Sequence, residues 1–174
     1  MTISQHPTDQ LIRELIDRER LATESEIAAI VARMVSAPFE PRTIAVPTDL
    51  QGVTYLTQTL DRRAPSLDIH LAKRVVSERQ WTYGTTVVQY LADLRRAIQL
   101  PSARLLAYVR RGGYIAGVIV PTASVLTPTQ LGLGALPFLL VIYSVDRGII
   151  VSGYQIFALG QAGIPREARW LNGQ

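Results

Sequence analysis

LPFLLVIYSVDRGIIVSGYQIF, residues 136 to 157, reads as two apolar strands folded back on one another through Asp146, Arg147 and Gly148. From Phe138 to Val145 both alternating faces are apolar, with Leu139, Val141, Tyr143 and Val145 on one and Phe138, Leu140 and Ile142 on the other. That is the pattern of a central strand covered on both sides. The second strand, Ile149 to Phe157, sets Ser152 and Tyr154 on one face and Gly153 and Gln155 on the other, so polar groups enter an apolar sheet. A site is sought there.

Working upstream, Ala103 to Arg111 and Tyr114 to Val120 flank Gly112 and Gly113, a two-residue hairpin signal because both turn positions need positive φ. The expected register places Tyr108 opposite Gly117. One side of the pair is then apolar and the other carries Arg104, Tyr108 and Arg110. A loop from Pro121 to Ala135 joins the two hairpins, and Trp170 and Leu171 dock a polar tail.

The N-terminal part reads as helical. Thr8 caps a helix to about Leu21 with Leu11, Ile12, Leu15 and Ile16 on one stripe. Thr23 followed by Glu26 is a capping box for a second helix with Ile27, Ile30, Val31, Met34 and Val35 inward. Two such helices cannot bury their stripes alone, so they pack on the rest of the chain or on a partner, the former being favoured. Asp49 to Leu60 carries Leu50, Val53, Leu56 and Leu60 at nearly helical spacing, which predicts a helix, although Gly52 and the threonines count against it. Ser66 caps a helix over residues 67–80, and Thr85 opens another that ends before Pro101. The predicted fold is α+β, N-terminal helices followed by a four-stranded antiparallel sheet. Its predicted parts are a helical hairpin (1–37), a connector punctuated by Pro38, Pro41 and Pro47 (38–48) and an α+β domain (49–174).

The 174 residues are 48% hydrophobic and 18% charged, enough for one good core. There is no cysteine and only two histidines, His6 and His70, so thiolate and histidine-rich metal sites are excluded and the expectation is no cofactor. The N-terminus has no basic region leading into an apolar core, and the longest apolar run is broken by Gly132, Gly134 and Pro137. These features predict a cytoplasmic protein with no membrane partner. Residues 1–60 carry five Arg and eight acidic residues, whereas residues 61–174 carry thirteen basic and six acidic ones, so the positive charge lies in the C-terminal part. Lys73 is the single lysine, and arginine is the residue suited to bidentate phosphate binding, although genomic base composition alone can shift Lys to Arg.

Gly132 and Gly134 in LGLGALP precede a strand rather than open a helix and lack a following lysine, so a phosphate loop is excluded. No nucleophile elbow or spaced carboxylate pair occurs. His70, Arg74 and Ser77 share a helix face, and Arg79 follows a turn later. Histidine exchanges a proton near neutral pH, arginine holds phosphate, and a Tyr hydroxyl donates to the same centre. Such parts suit metal-free transesterification of RNA, in which the ribose 2′-hydroxyl attacks the adjacent phosphodiester. The competing reading makes His70 a helix-edge residue and the arginines a solvated face.

The order of elements, a helix with H-x3-R-x4-R (His70, Arg74, Arg79) and then an antiparallel sheet ending in IIVSGY (Ile149 to Tyr154), resembles the small ribonuclease-toxin group that includes barnase, EndoU, the tRNA-cutting colicins and RelE. It is similar above all to the short bacterial members, over roughly residues 67–157. The resemblance implies His70 as general base or acid, Arg74 and Arg79 as phosphate clamp, and Tyr154 with Ser152 as stabilisers; Arg110 joins Ser152 as substrate-binding. It implies RNA as substrate and an antitoxin as partner. The Pro121 to Ala135 loop and the acidic N-terminal helices depart from the family pattern; the helices would serve as an oligomerisation arm or a cover over the basic face. The alternative is a non-catalytic α+β interaction protein that binds partners through its N-terminal helical hairpin.

Overall fold

The computed structural model describes residues 2–162 and 164–173. Two N-terminal helices, α1 (Pro7–Asp17) and α2 (Glu24–Ser36), precede a short strand β1 (Thr43–Ala45), a small hairpin of β2 (Thr54–Tyr55) and β3 (Gln58–Thr59), and β4 (Arg63–Pro65), which pairs with β1. Helix α3 (Ser66–Ala72) then widens into a π turn (Lys73–Ser77), in which the Glu78 N–H reaches the Lys73 carbonyl at 2.9 Å. Helix α4 (Val87–Gln99) leads into β5 (Arg104–Arg110), β6 (Gly113–Pro121), β7 (Phe138–Ser144), β8 (Ile149–Ile156) and the two-residue β9 (Arg169–Trp170). The main sheet is antiparallel throughout, in the order β8-β7-β6-β5-β9.

The class is therefore α+β, with two corrections to the expected layout. The sheet has five strands rather than four, because the tail returns across β5: Leu171 donates to the Leu105 carbonyl at 2.8 Å, and the Asn172 side chain accepts from the Leu105 N–H and donates to the Ala103 carbonyl. The helices are also not all gathered at the N-terminus, since the strand pairs β1/β4 and β2/β3 separate α2 from α3. The stretch expected as a helix over Asp49 to Leu60 is a single 3₁₀ turn followed by the β2/β3 hairpin. Gly52 breaks it with φ +80°, and the flanking threonines suit strands.

The capping box of α2 forms as read, with Thr23 Oγ1 accepting from the Glu26 N–H at 3.3 Å and Glu26 accepting from the Thr23 N–H at 2.9 Å. Helix α1 is instead capped by His6 and stops at Asp17, where the chain soon turns left-handed at Glu19, and α4 is capped by Thr86 rather than Thr85. The β5/β6 turn falls on Arg111 and Gly112, both at positive φ, so Tyr108 opposes Ile115 rather than Gly117. That slide of two residues keeps every side chain on its expected face.

One face of the sheet, with Leu105, Val118, Leu139, Val141 and Tyr143, packs on the apolar stripes of the helices, where Ile12, Leu15, Ile30, Met34, Leu94 and Ile98 have no exposed surface. Thus α1 and α2 bury their stripes in the same core as the sheet. The other face, with Leu106, Tyr108, Ile119, Leu140 and Ile156, is covered by Leu159, Ile164, Ala168 and Trp170 from the returning tail. Strand β7 is thereby covered on both sides. Among the described residues no helix is long and apolar enough to cross a membrane.

Candidate active site at the open edge of the sheet

Strand β8 ends the sheet, so its outward backbone groups have no neighbouring strand. Side chains and a loop take that strand's place. Ile150 exchanges hydrogen bonds with the backbone of Pro38 and Glu40. The Tyr90 hydroxyl accepts from the Gly153 N–H at 3.2 Å and donates to the Gly153 carbonyl at 2.5 Å. The Gln80 amide closes on Gln155, accepting from its N–H at 2.7 Å and donating to its carbonyl at 2.9 Å. Gly153 is required by close approach, because a Cβ there would run into Leu94 of α4.

Arg74 wraps round this edge. Its Nε donates to the Gly153 carbonyl and one terminal nitrogen to Ser152 Oγ, both at 2.9 Å, the other pairs with Glu78, and its Cζ lies 5.0 Å from the centre of the Tyr154 ring. The π turn produces this approach by letting the helix open where the chain meets β8. His70, one α-helical turn earlier, completes the group with Nδ1 3.2 Å from Ser152 Oγ and its ring edge-on to Phe39 at 5.5 Å. Burial, aided by the positive charges of Arg74 and Lys73, lowers the His70 pKa to about 4, so the imidazole is neutral at pH 7. Burial also raises the Tyr154 pKa and keeps its hydroxyl protonated.

The structure thus brings together four of the sequence-derived site residues, His70, Arg74, Ser152 and Tyr154. Arg110 is exposed at the end of β5, close enough for its charge to act on the hydroxyls of Tyr108 and Tyr154. Arg79 is exposed at a left-handed turn (φ +55°) and lines a different cleft, beside Val76, Tyr83 and Leu133. The LGLG segment packs on that turn: Gly132 and Gly134 donate to the carbonyls of Gln80 and Arg79, and a Cβ at either would overlap the Arg79 or Glu78 carbonyl.

Sequence reading missed Phe39, Gln80 and Tyr90. The sequence offered only a glutamine next to Trp81 as a signal for Gln80, and nothing local marks the other two. Among the described residues no group of three or more His, Cys, Asp or Glu side chains is arranged to hold a metal ion. Comparison of the chain with protein-family models, curated proteins and solved structures finds no match.

Proposed function

We propose that the chain is a metal-independent, toxin-like endoribonuclease that cleaves RNA by 2′-hydroxyl transesterification at the His70 cluster. The observation that carries this reading is the meeting of His70 and Arg74 with Ser152 and Tyr154, His70 and Ser152 lying 82 residues apart in sequence, around an imidazole uncharged at neutral pH. With Nδ1–H donating to Ser152 Oγ, the Nε2 lone pair takes the proton of the 2′-hydroxyl. The 2′-oxygen then bonds to phosphorus, the bond to the 5′-oxygen breaks, and that oxygen leaves with a proton from solvent. The products are a 2′,3′-cyclic phosphate and a 5′-hydroxyl.

In this scheme Tyr154 donates a hydrogen bond to the phosphate, and exposed Arg110 and Arg79 hold the RNA backbone. Arg74 acts as a positioning residue for Ser152 and Tyr154. An antitoxin partner and a cytoplasmic, bacterial setting belong to the same reading.

The burial of Arg74 favours a second reading, in which the cluster is only a clamp on the open strand and the protein is a non-catalytic interaction module. The N-terminal helices are a poor docking arm for such a module, since their apolar stripes face the chain's own core.

Digestion of total RNA in EDTA by wild type, His70→Gln and Tyr154→Phe separates the two readings. The ribonuclease reading expects cyclic-phosphate ends from wild type and a loss of about 10²-fold or more in His70→Gln, with the fold intact. It also expects activity to fall as pH drops through about 4, where His70 becomes charged. Absence of cleavage by pure wild-type protein moves the assignment to the second reading.

A further inference from the structure

On the side of α3 away from His70, a cleft of about 190 Å³ lies under the β2/β3 hairpin. Its walls are mainly apolar, from Tyr55, Leu60, Leu71, Ala72 and Val87, with Thr57, Gln58 and Thr86 among them. One carboxylate, that of Asp68, lines it. Asp68 and His70 stand two residues apart on one helix, which turns their side chains to nearly opposite faces.

Three observations set this cleft apart from ordinary packing. First, among the described residues no donor or cation pairs with Asp68, and burial alone, with no compensating charge, raises its pKa. The fully buried carboxylates Asp9, Glu40 and Asp93 each have an arginine partner, whereas half-buried Asp68 has only its place in the first turn of α3. Second, two of the other polar groups at the cleft are already engaged, and Thr57 and Gln58 add only neutral polar surface: the Tyr55 hydroxyl donates to the Thr85 carbonyl and accepts from the Gly84 N–H, and Thr86 Oγ1 caps α4. Third, the roof is strained. Leu56, at the tip of the β2/β3 hairpin, adopts φ +53°, a conformation costly for a residue with a side chain, and stays 43% exposed.

We propose that this cleft binds a small organic cation, an ammonium or amidinium group on a short apolar or aromatic body, with Asp68 as its counter-ion. The volume fixes the size. It lies below the ~300 Å³ at which pockets for drug-sized ligands begin, so it suits a single compact group. A planar amidinium sets two N–H groups on the Asp68 oxygens while its ring lies against Tyr55 and Leu71. A neutral amide of the same shape keeps the apolar contact and loses the charge.

Titration of the full-length protein with benzamidine, followed by amide NMR shifts, tests this. Expected are saturable shifts confined to residues 55–60, 68–72 and 86–87, at least tenfold weaker binding of isosteric benzamide, and a comparable loss in Asp68→Asn. Asparagine is isosteric and gives up only the carboxylate's favourable place in the first turn of α3, so that variant should stay folded. Equal affinity for benzamidine and benzamide, unchanged binding by Asp68→Asn, or no saturable shift in wild type would each overturn the proposal. The amide comparison needs only wild-type protein, so the test does not hang on the variant.

Discussion

Two buried arginine clusters hold the β7/β8 hairpin from opposite ends, and they are built differently. At the turn, Arg33 meets Asp9, which has no exposed surface and also accepts from Ser4 and Tyr143, both at 2.5 Å. Burial alone would raise the Asp9 pKa, but hydrogen bonds from Arg33, Ser4 and Tyr143 hold it below the ordinary carboxylate value. At the far edge, Arg74 rests on neutral acceptors, the Gly153 carbonyl and Ser152 Oγ, and its one carboxylate, Glu78, is partly exposed. In the first cluster the Asp9 carboxylate is fully committed, to Arg33, Ser4 and Tyr143. The second has a histidine nitrogen and the Tyr154 hydroxyl left over, and uncommitted groups beside a positive charge are what chemistry on a phosphate requires.

The largest effect that would break this contrast is at Asp9. Asp9→Ala leaves the Tyr143 hydroxyl unpaired in the core and the partly exposed Arg33 charge without its carboxylate, and removing one partner of a largely buried pair costs up to about 3–5 kcal/mol. For a chain of this size that lowers Tm by roughly 10 °C. A drop of only a degree or two in thermal melts would show that water reaches the network and that the Asp9 cluster is a surface feature.

Acid separates His70 of the edge cluster from the Glu40–Arg147 pair by pH window. The His70 pKa is depressed to about 4 from 6.5, so the unfolded chain binds its proton more readily; the stability this confers is complete above pH 6.5 and is lost as pH falls towards 4. The Glu40 carboxylate, paired with Arg147 beside the turn, is held at about 2 against an ordinary 4.5, so its contribution is complete above pH 4.5 and is lost only as pH falls from there towards 2. Urea titrations of wild type should lose on the order of 2–3 kcal/mol between pH 6.5 and 4. His70→Gln should hold steady until about pH 4.5. Identical slopes for the two proteins would mean that His70 is solvated and of ordinary basicity.

How far the sequence showed these features depended on how local the cause was. The two long hairpins were legible because alternation, Gly112 and Gly148 act within a few residues, and the capping box of α2 needs only Thr23 and Glu26. The fifth strand was not, because two residues carry no period and β9 exists through long-range bonds from Leu171 and Asn172 to the strand beside it. The Asp49 to Leu60 stretch misled because leucine spacing suited a helix while Gly52 and the threonines decided for a hairpin. Within the site, the spacing of four placed His70 and Arg74 on one helix face, and alternation placed Ser152 with Tyr154. Their meeting across 82 residues, and the part taken by Tyr90, belong to tertiary packing.

The finest test lies inside the edge cluster. Ser152→Ala removes the acceptor shared by Arg74 and His70, but the guanidinium keeps Gly153 and Glu78. The expected cost is therefore that of a neutral hydrogen bond to a charged donor, about 1.5–3 kcal/mol, under that of Asp9→Ala. A double-mutant cycle with His70→Gln should give a coupling of roughly 0.5–1 kcal/mol, since Ser152 Oγ and His70 Nδ1 are in direct contact. If Ser152→Ala instead costs as much as Asp9→Ala, Arg74 depends on the hydroxyl as heavily as Arg33 depends on its carboxylate. The edge cluster would then be a second closed structural lock, with no group to spare for a substrate.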